Sequence, residues 1–263
     1  MNKIIKIFNI ILTSFVISFL IFFINGFIEK GIIKNEIEEF KSRGVFEEEI
    51  QYNGVIIKKY KVKPEKEYEN IEKPSINIER ENYYLGSKLD ITITSRNPLR
   101  NSSFALASDV AGFFSKNFFI GHATINSTSS GTYYIETVGN DKEKNEVREE
   151  RNIWFESEIK PGDDNNTIIG LRIKGIDGET EEKIVSKLRE KIGKKYNKLL
   201  IIPLKNRYYC TDLITRTLKE EGIKINYDHF YATGNDIIVD DDTYLIYYIS
   251  RISNKEFELY YLG

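Results

Sequence analysis

A chain of 263 residues with 41% hydrophobic and 13% aromatic side chains can hold one medium domain with a real core and some extra elements. A net charge of −2 leaves no basic excess for phosphates, which argues against a nucleic-acid partner. The single cysteine excludes an intrachain disulfide framework, and interspersed Lys and Glu describe an ordinary solvated surface.

In chain order, residues 7–28 are almost wholly apolar, broken by Asn9, Thr13, Ser14, Ser18, Asn25 and Gly26. That length matches the roughly 20 residues that cross a bilayer. Lys3 and Lys6 come first and would keep the amino terminus in the cytoplasm. No Ala-x-Ala-like site closes the run, so residues 1–28 read as an uncleaved transmembrane signal anchor. The rest of the chain is then expected outside the cytoplasm, held at the cell membrane, or secreted if the segment is cleaved. Residues 29–84 read as a charged stalk or accessory strands, with one strand over 53–62 and a turn at Asn53-Gly54.

Residues 85–263 carry the main domain. Strands are expected over 89–94, 120–125 and 133–138, the last two flanking a turn over 126–131. Residues 104–119 have helical character, with Leu106, Val110, Phe113 and Phe114 on one side. Further strands are expected over 153–155 and 168–173, separated by a turn at 161–164. A helix over 179–194 would bury Ile184, Val185, Leu188 and Ile192. Another, over 208–221, would bury Leu213, Ile214, Thr217 and Leu218 and stop at Gly222. Residues 237–239 and 257–261 are expected to return to the sheet. The run Asp240-Asp241-Asp242 lacks the alternation and glycine of a calcium loop, and reads as an amino-terminal cap for residues 243–250. Antiparallel strands with a few helices make an α+β domain.

Cys210 falls in the first turn of its helix, where free amide N–H groups and the helix dipole favour thiolate over thiol. A thiolate that attacks a carbonyl needs a proton donor for the leaving group and a group to orient that donor. His122, mid-strand, is the candidate donor and base. Placing the turn at 127–131 sets Asn126 opposite Thr132 and His122 opposite Glu136, about 5 Å apart on one face. Glu136 would then orient the imidazole. Each residue has a bland alternative: an inert buried cysteine, a satisfied core histidine, a solvent-facing glutamate. His229 competes for the base role from a loop. Arg172 could bind a substrate carboxylate or phosphate, and equally could be a core-edge arginine. Asp212 could orient the oxyanion side, although its charge also suits a helix start. Two histidines and one cysteine make a poor zinc set, and no Gly-x-Ser-x-Gly elbow or phosphate-cradling glycine loop is present. No metal or cofactor is therefore expected.

The order Gly121-His122-Ala123, Glu136, Arg172 and Tyr209-Cys210-Thr211-Asp212-Leu213 resembles the YiiX/YebB-like branch of the NlpC-type papain-fold hydrolases. In that branch the papain order is circularly permuted and the cysteine sits in a Cys-Ser-Glu-Leu-like motif, here Cys-Thr-Asp-Leu. The segment Ile238-Val239-Asp240-Asp241-Asp242 is similar to a Pro-Asp-Asp segment of that branch, with the proline replaced. The resemblance covers about residues 85–250. It implies a permuted papain-like domain, an antiparallel sheet packed on helices, and leaves the expected membrane helix and stalk before it unexplained. It further implies a cysteine peptidase or amidase with Cys210 as nucleophile, His122 as base and Glu136 as orienting residue. Tyr209, Arg172 and Asp212 would line the substrate. Relatives act on cell-wall peptides or on lipid acyl groups, so a peptide or acyl-containing envelope substrate is expected; the alternatives are a lipid-directed acyltransferase or thioesterase using the same thiol, and a non-catalytic envelope binding module.

Overall fold

A computed structural model describes residues 2–65, 72–79, 82–95, 121–139, 144–162, 167–199, 203–227 and 232–263. The helical segment expected over 104–119, part of the turn at 161–164, and His229 lie outside the described residues.

The chain begins with α1 (Asn2–Ser42), one helix of 41 residues. Its first part leaves large apolar side chains such as Phe8, Ile11 and Phe15 exposed, while Ile33, Ile37 and Phe40 are buried against the domain. Among the described residues, no helix is long and apolar enough to cross a membrane. The expected transmembrane anchor, and the cell-membrane location that rested on it, are corrected accordingly. The expectation treated residues 1–28 as a free-standing element. They are instead the opening of a helix that runs on through Glu29, Lys30 and Lys34 and docks by its last turns.

β1 (Gly44–Tyr52) and β2 (Val55–Val62) follow as an antiparallel hairpin. Asn53 and Gly54 between them have φ of 47° and 79°, the two left-handed values that a tight two-residue turn requires. β3 (Ile76–Glu79) and β4 (Asn82–Leu85) form a small separate pair. Next come β5 (Ile91–Thr94), β6 (His122–Asn126), β7 (Tyr133–Thr137) and β8 (Val147–Arg151). The short helix α2 (Trp154–Glu158) precedes β9 (Thr167–Ile173) and α3 (Gly178–Glu190). The two-residue strands β10 (Lys195–Tyr196) and β11 (Arg207–Tyr208) pair in parallel just before α4 (Cys210–Lys219). α5 (Gly234–Ile238), β12 (Thr243–Ser253) and β13 (Glu256–Leu262) complete the chain.

Nine strands form one sheet in the order β1-β2-β13-β12-β9-β5-β6-β7-β8. All of its pairings are antiparallel except β13 with β2, which runs parallel. The result is a mixed α/β fold around a large nine-stranded sheet, and it replaces the expected antiparallel papain-like α+β domain behind a membrane helix. Residues 44–62, expected as a stalk or accessory strands, are the strands that make the difference, because β2 closes on β13. The sheet reads as strands because its residues are β-branched and buried: Ile91 and Ile93 on β5, Ile125 on β6, Ile135 on β7, Ile168 and Ile169 on β9. α3 contributes Ile184, Val185 and Leu188 to the same core, and α4 contributes Leu213, Ile214 and Leu218.

Three short segments differ from expectation. Residues 153–155 open a helix, not a strand, and Trp154 and Phe155 are buried in it. A three-residue apolar run has no periodicity to separate the two. Residues 237–239 likewise close a helix, α5, whose start carries a capping box between Thr233 and Asp236. The aspartate run caps no helix: Asp240 accepts from the Asp242 and Thr243 amides in a turn that leads into β12. Ile192, expected on the buried side of α3, lies beyond its end and is exposed.

Candidate active site

α4 is built by its own periodicity. Leu213, Ile214, Thr217 and Leu218 are buried, and they lay the helix against β6 and β7. Its first residue is Cys210, preceded by Tyr209 in extended conformation with no side-chain cap. The amide groups of the first turn are therefore left to the cysteine sulfur and to solvent or ligand. Both flanks of the cysteine are pinned. The Thr137 hydroxyl donates to the Tyr208 carbonyl at 3.3 Å, and the Thr211 hydroxyl donates to the Ala232 carbonyl at 2.6 Å. The Arg216 guanidinium lies 4.5 Å over the Tyr208 ring and donates to the Leu204 and Arg207 carbonyls.

His122 opens β6. Gly121 before it is a packing requirement: a Cβ there would lie 1.2 Å from the Thr94 carbonyl oxygen, so the chain crosses β5 where only glycine fits. The His122 Nε2 bonds the Glu136 Oε2 at 2.5 Å, and both side chains are buried. The pairing of β6 with β7 sets Ile125 opposite Ile135 and Asn126 opposite Tyr134. This register is two residues away from the expected one, so Thr124, not His122, stands across from Glu136. A shift of two keeps the parity of the strand, so Glu136 stays on the face of His122 and reaches it diagonally.

Nε2 is held by Glu136, Nδ1 is buried without a hydrogen-bond partner, and Cys210 lies close enough to act on the ring. Such contacts are often long in a free enzyme. Burial alone would push the His122 pKa down, but the Cys210 and Glu136 contacts outweigh it and raise it to about 10. Burial would likewise raise the Cys210 thiol. The imidazole, helped by the backbone amides of Ala123 and Thr211, instead holds it below the ordinary thiol value. Glu136 is kept below the usual carboxylate range against its own burial by His122 and Arg148. The three groups thus favour a thiolate, an imidazolium and a carboxylate in a row. Cys210 as a whole is 8% exposed.

The expected substrate contacts fare differently. Arg172 is buried, gripping Asp90 with Nε and Nη2 at 2.7 Å each and donating to the Lys73 and Pro74 carbonyls. Its donors are committed to the fold, which matches the core-edge arginine of the two readings the sequence left open. Asp212 accepts from Arg216 at 3.0 Å, one turn along α4. Burial raises its pKa and Arg216 opposes that rise. It braces the helix start and does not need a role in binding. Tyr209 is buried at the helix cap.

Two residues of the site were not read from the sequence. Arg148 on β8 donates from Nε and Nη2 to the Glu136 Oε1 at 2.8 and 2.7 Å. Trp154, the only tryptophan in the chain, lies 5.8 Å from the His122 ring and donates its indole N–H to the Thr124 hydroxyl. The charged run Val147-Arg148-Glu149-Glu150-Arg151 shows no apolar alternation to mark it as a strand, although its neighbour Glu136 gave a reason to seek a cation.

No family model matches the chain, and no curated protein matches it. Among solved structures, the metalloprotein YiiX from Escherichia coli O157:H7 is similar at 13% identity and a TM-score of 0.44. The likeness covers 61% of this chain and 96% of that one. It is a distant neighbour. Among the described residues of this chain, no group of three or more His, Cys, Asp or Glu side chains is arranged to hold a metal ion. The one histidine of the site already has its Nε2 on Glu136.

Proposed function

We propose that the protein is a thiol-dependent hydrolase of amide or ester bonds, with Cys210 as nucleophile, His122 as acid and base, and Glu136 as the residue that orients the imidazole. The observation that carries this reading is the buried Glu136–His122 pair, in which Nε2 of the imidazole is bonded to the carboxylate and Nδ1 is left without a hydrogen-bond partner, with Cys210 acting on the same ring. The Cys210 sulfur attacks the carbonyl carbon, forming a C–S bond and an oxyanion. Collapse breaks the C–N or C–O bond, and the leaving nitrogen or oxygen takes the proton from Nδ1. Water then gives its proton to the neutral Nδ1 and attacks the thioester, which releases the acid and restores the thiolate–imidazolium pair. The Nε2–H stays on Glu136 throughout, which fixes the tautomer. Amide N–H groups at the start of α4 are the natural donors to the oxyanion.

A peptide or amidated acyl compound is the substrate class this chemistry takes, and acyl transfer to another acceptor would use the same first step. The test is acylation with p-nitrophenyl acetate, followed by mass spectrometry of the cysteine peptide. A burst of p-nitrophenol and an acetyl adduct on Cys210 are expected, both lost in Cys210→Ala with the fold retained. A protein that gives neither, or a Cys210→Ala variant that keeps full turnover, would overturn the proposal.

A further inference from the structure

Glu136 has two cations on it, not one. Its side chain is 4% exposed, and an isolated carboxylate at that depth would rather be protonated. Its Oε2 faces His122 and its Oε1 receives both donors of the Arg148 fork. Arg148 stands directly opposite Glu136 in the pairing of β7 with β8, so the sheet register itself delivers the guanidinium to the carboxylate. The arginine is one-third exposed, reaching in from the sheet edge, and its Nε also lies 3.5 Å from Glu150.

The two cations are not equivalent over a catalytic cycle. The imidazolium gives up its charge when the leaving group departs, and at that moment a buried carboxylate with no other partner would draw a proton. A protonated Glu136 could no longer hold the Nε2–H, and the tautomer that keeps Nδ1 basic for the water step would be lost.

We propose that Arg148 is a positioning residue of this site, whose bidentate grip keeps Glu136 ionised and aimed at His122 through the stage in which the imidazole is neutral. This rests on the thiol chemistry proposed above. Replacing Arg148 with Gln leaves one neutral hydrogen bond where the fork had charge. Turnover should fall by roughly 10–100-fold, the scale on which outer partners of a functional histidine act. The pH at which the Cys210 thiolate forms should also rise, because a positive charge that favours the thiolate is removed from the row.

The experiment measures Cys210 alkylation by iodoacetamide against pH, with p-nitrophenyl acetate turnover, for wild type, Arg148→Gln, Arg148→Lys and Glu150→Gln. Circular dichroism checks that each is folded. Expected is a thiolate titration below the free-thiol range in wild type, moved upward in Arg148→Gln, intermediate in Arg148→Lys and unmoved in Glu150→Gln. A folded Arg148→Gln protein with the wild-type titration and turnover overturns the role of Arg148 while leaving the thiol reading intact. If the Gln variant does not fold, a Lys variant indistinguishable from wild type overturns the bidentate role. A wild-type thiol that titrates like a free cysteine overturns the hydrolase reading itself, and this inference with it.

Discussion

Two buried carboxylates sit in the same sheet, and they are served in opposite ways. Asp90, at the start of β5, takes both prongs of Arg172 and the Ser87 amide at 2.6 Å, while the rest of that guanidinium is bonded to backbone carbonyls. Glu136, on β7, holds an arginine on one oxygen and a histidine on the other, and the second nitrogen of that histidine is buried without a hydrogen-bond partner. The first cluster is complete. The second leaves a proton-handling atom and a sulfur with unfinished business at the start of a helix. Buried polar groups are normally paired, so the unpaired Nδ1 is where the proposed chemistry would engage a substrate.

The contrast can be broken at each end. The largest effect is expected from Cys210→Ala, which removes the proposed nucleophile and should abolish turnover without a matching loss of melting temperature. The next belongs to the complete cluster. Arg172→Met leaves Asp90 buried without its cation and should cost about 3–5 kcal/mol of stability in a denaturant titration. Turnover per folded molecule should stay at the wild-type level. The pH dependence follows from the sign of the Asp90 shift. Burial already raises that carboxyl and Arg172 opposes the rise, so without Arg172 it takes a proton more readily and the stability deficit shrinks as pH falls. An Arg172→Met protein that is as stable as wild type, or folded but inactive, would erase the distinction drawn between the two clusters. The smallest effect is expected from Trp154→Phe. The ring beside His122 survives, and only the indole bond to Thr124, 3.1 Å long, is lost. About 1 kcal/mol of stability and less than a tenfold change in turnover should follow. A much larger loss of turnover would move Trp154 from packing into the chemistry.

The parts of this arrangement that were legible in the sequence are those with strong periodicity. The buried face of α4 was visible in Leu213, Ile214, Thr217 and Leu218, and its end in Gly222, which has φ of +81°. Glu136 was placed on the right face by a turn count that was nonetheless off by two, because strand faces repeat every second residue. Arg148 was invisible because β8 is a charged strand near the sheet edge whose register only pairing reveals. Arg172 stayed open between two readings because a binding arginine and a structural one look alike until the partner, 82 residues away, is known. The apolar opening of the chain misled in another way. A 22-residue window says nothing of the charged helix that continues from it, nor of the parallel closure of β2 on β13 that draws residues 44–62 into the sheet.

The direct test of the central claim is the pH profile of Cys210 alkylation in wild type and in His122→Ala. With the imidazolium pKa raised to about 10 and the thiol lowered, the pair should exist as thiolate and imidazolium across the neutral range. The wild-type rate should then stay high well below the ordinary thiol pKa of about 8.5, and His122→Ala should return the titration to the free-thiol range or above it. A wild-type profile already in that range, and unchanged when His122 is removed, would contradict the account.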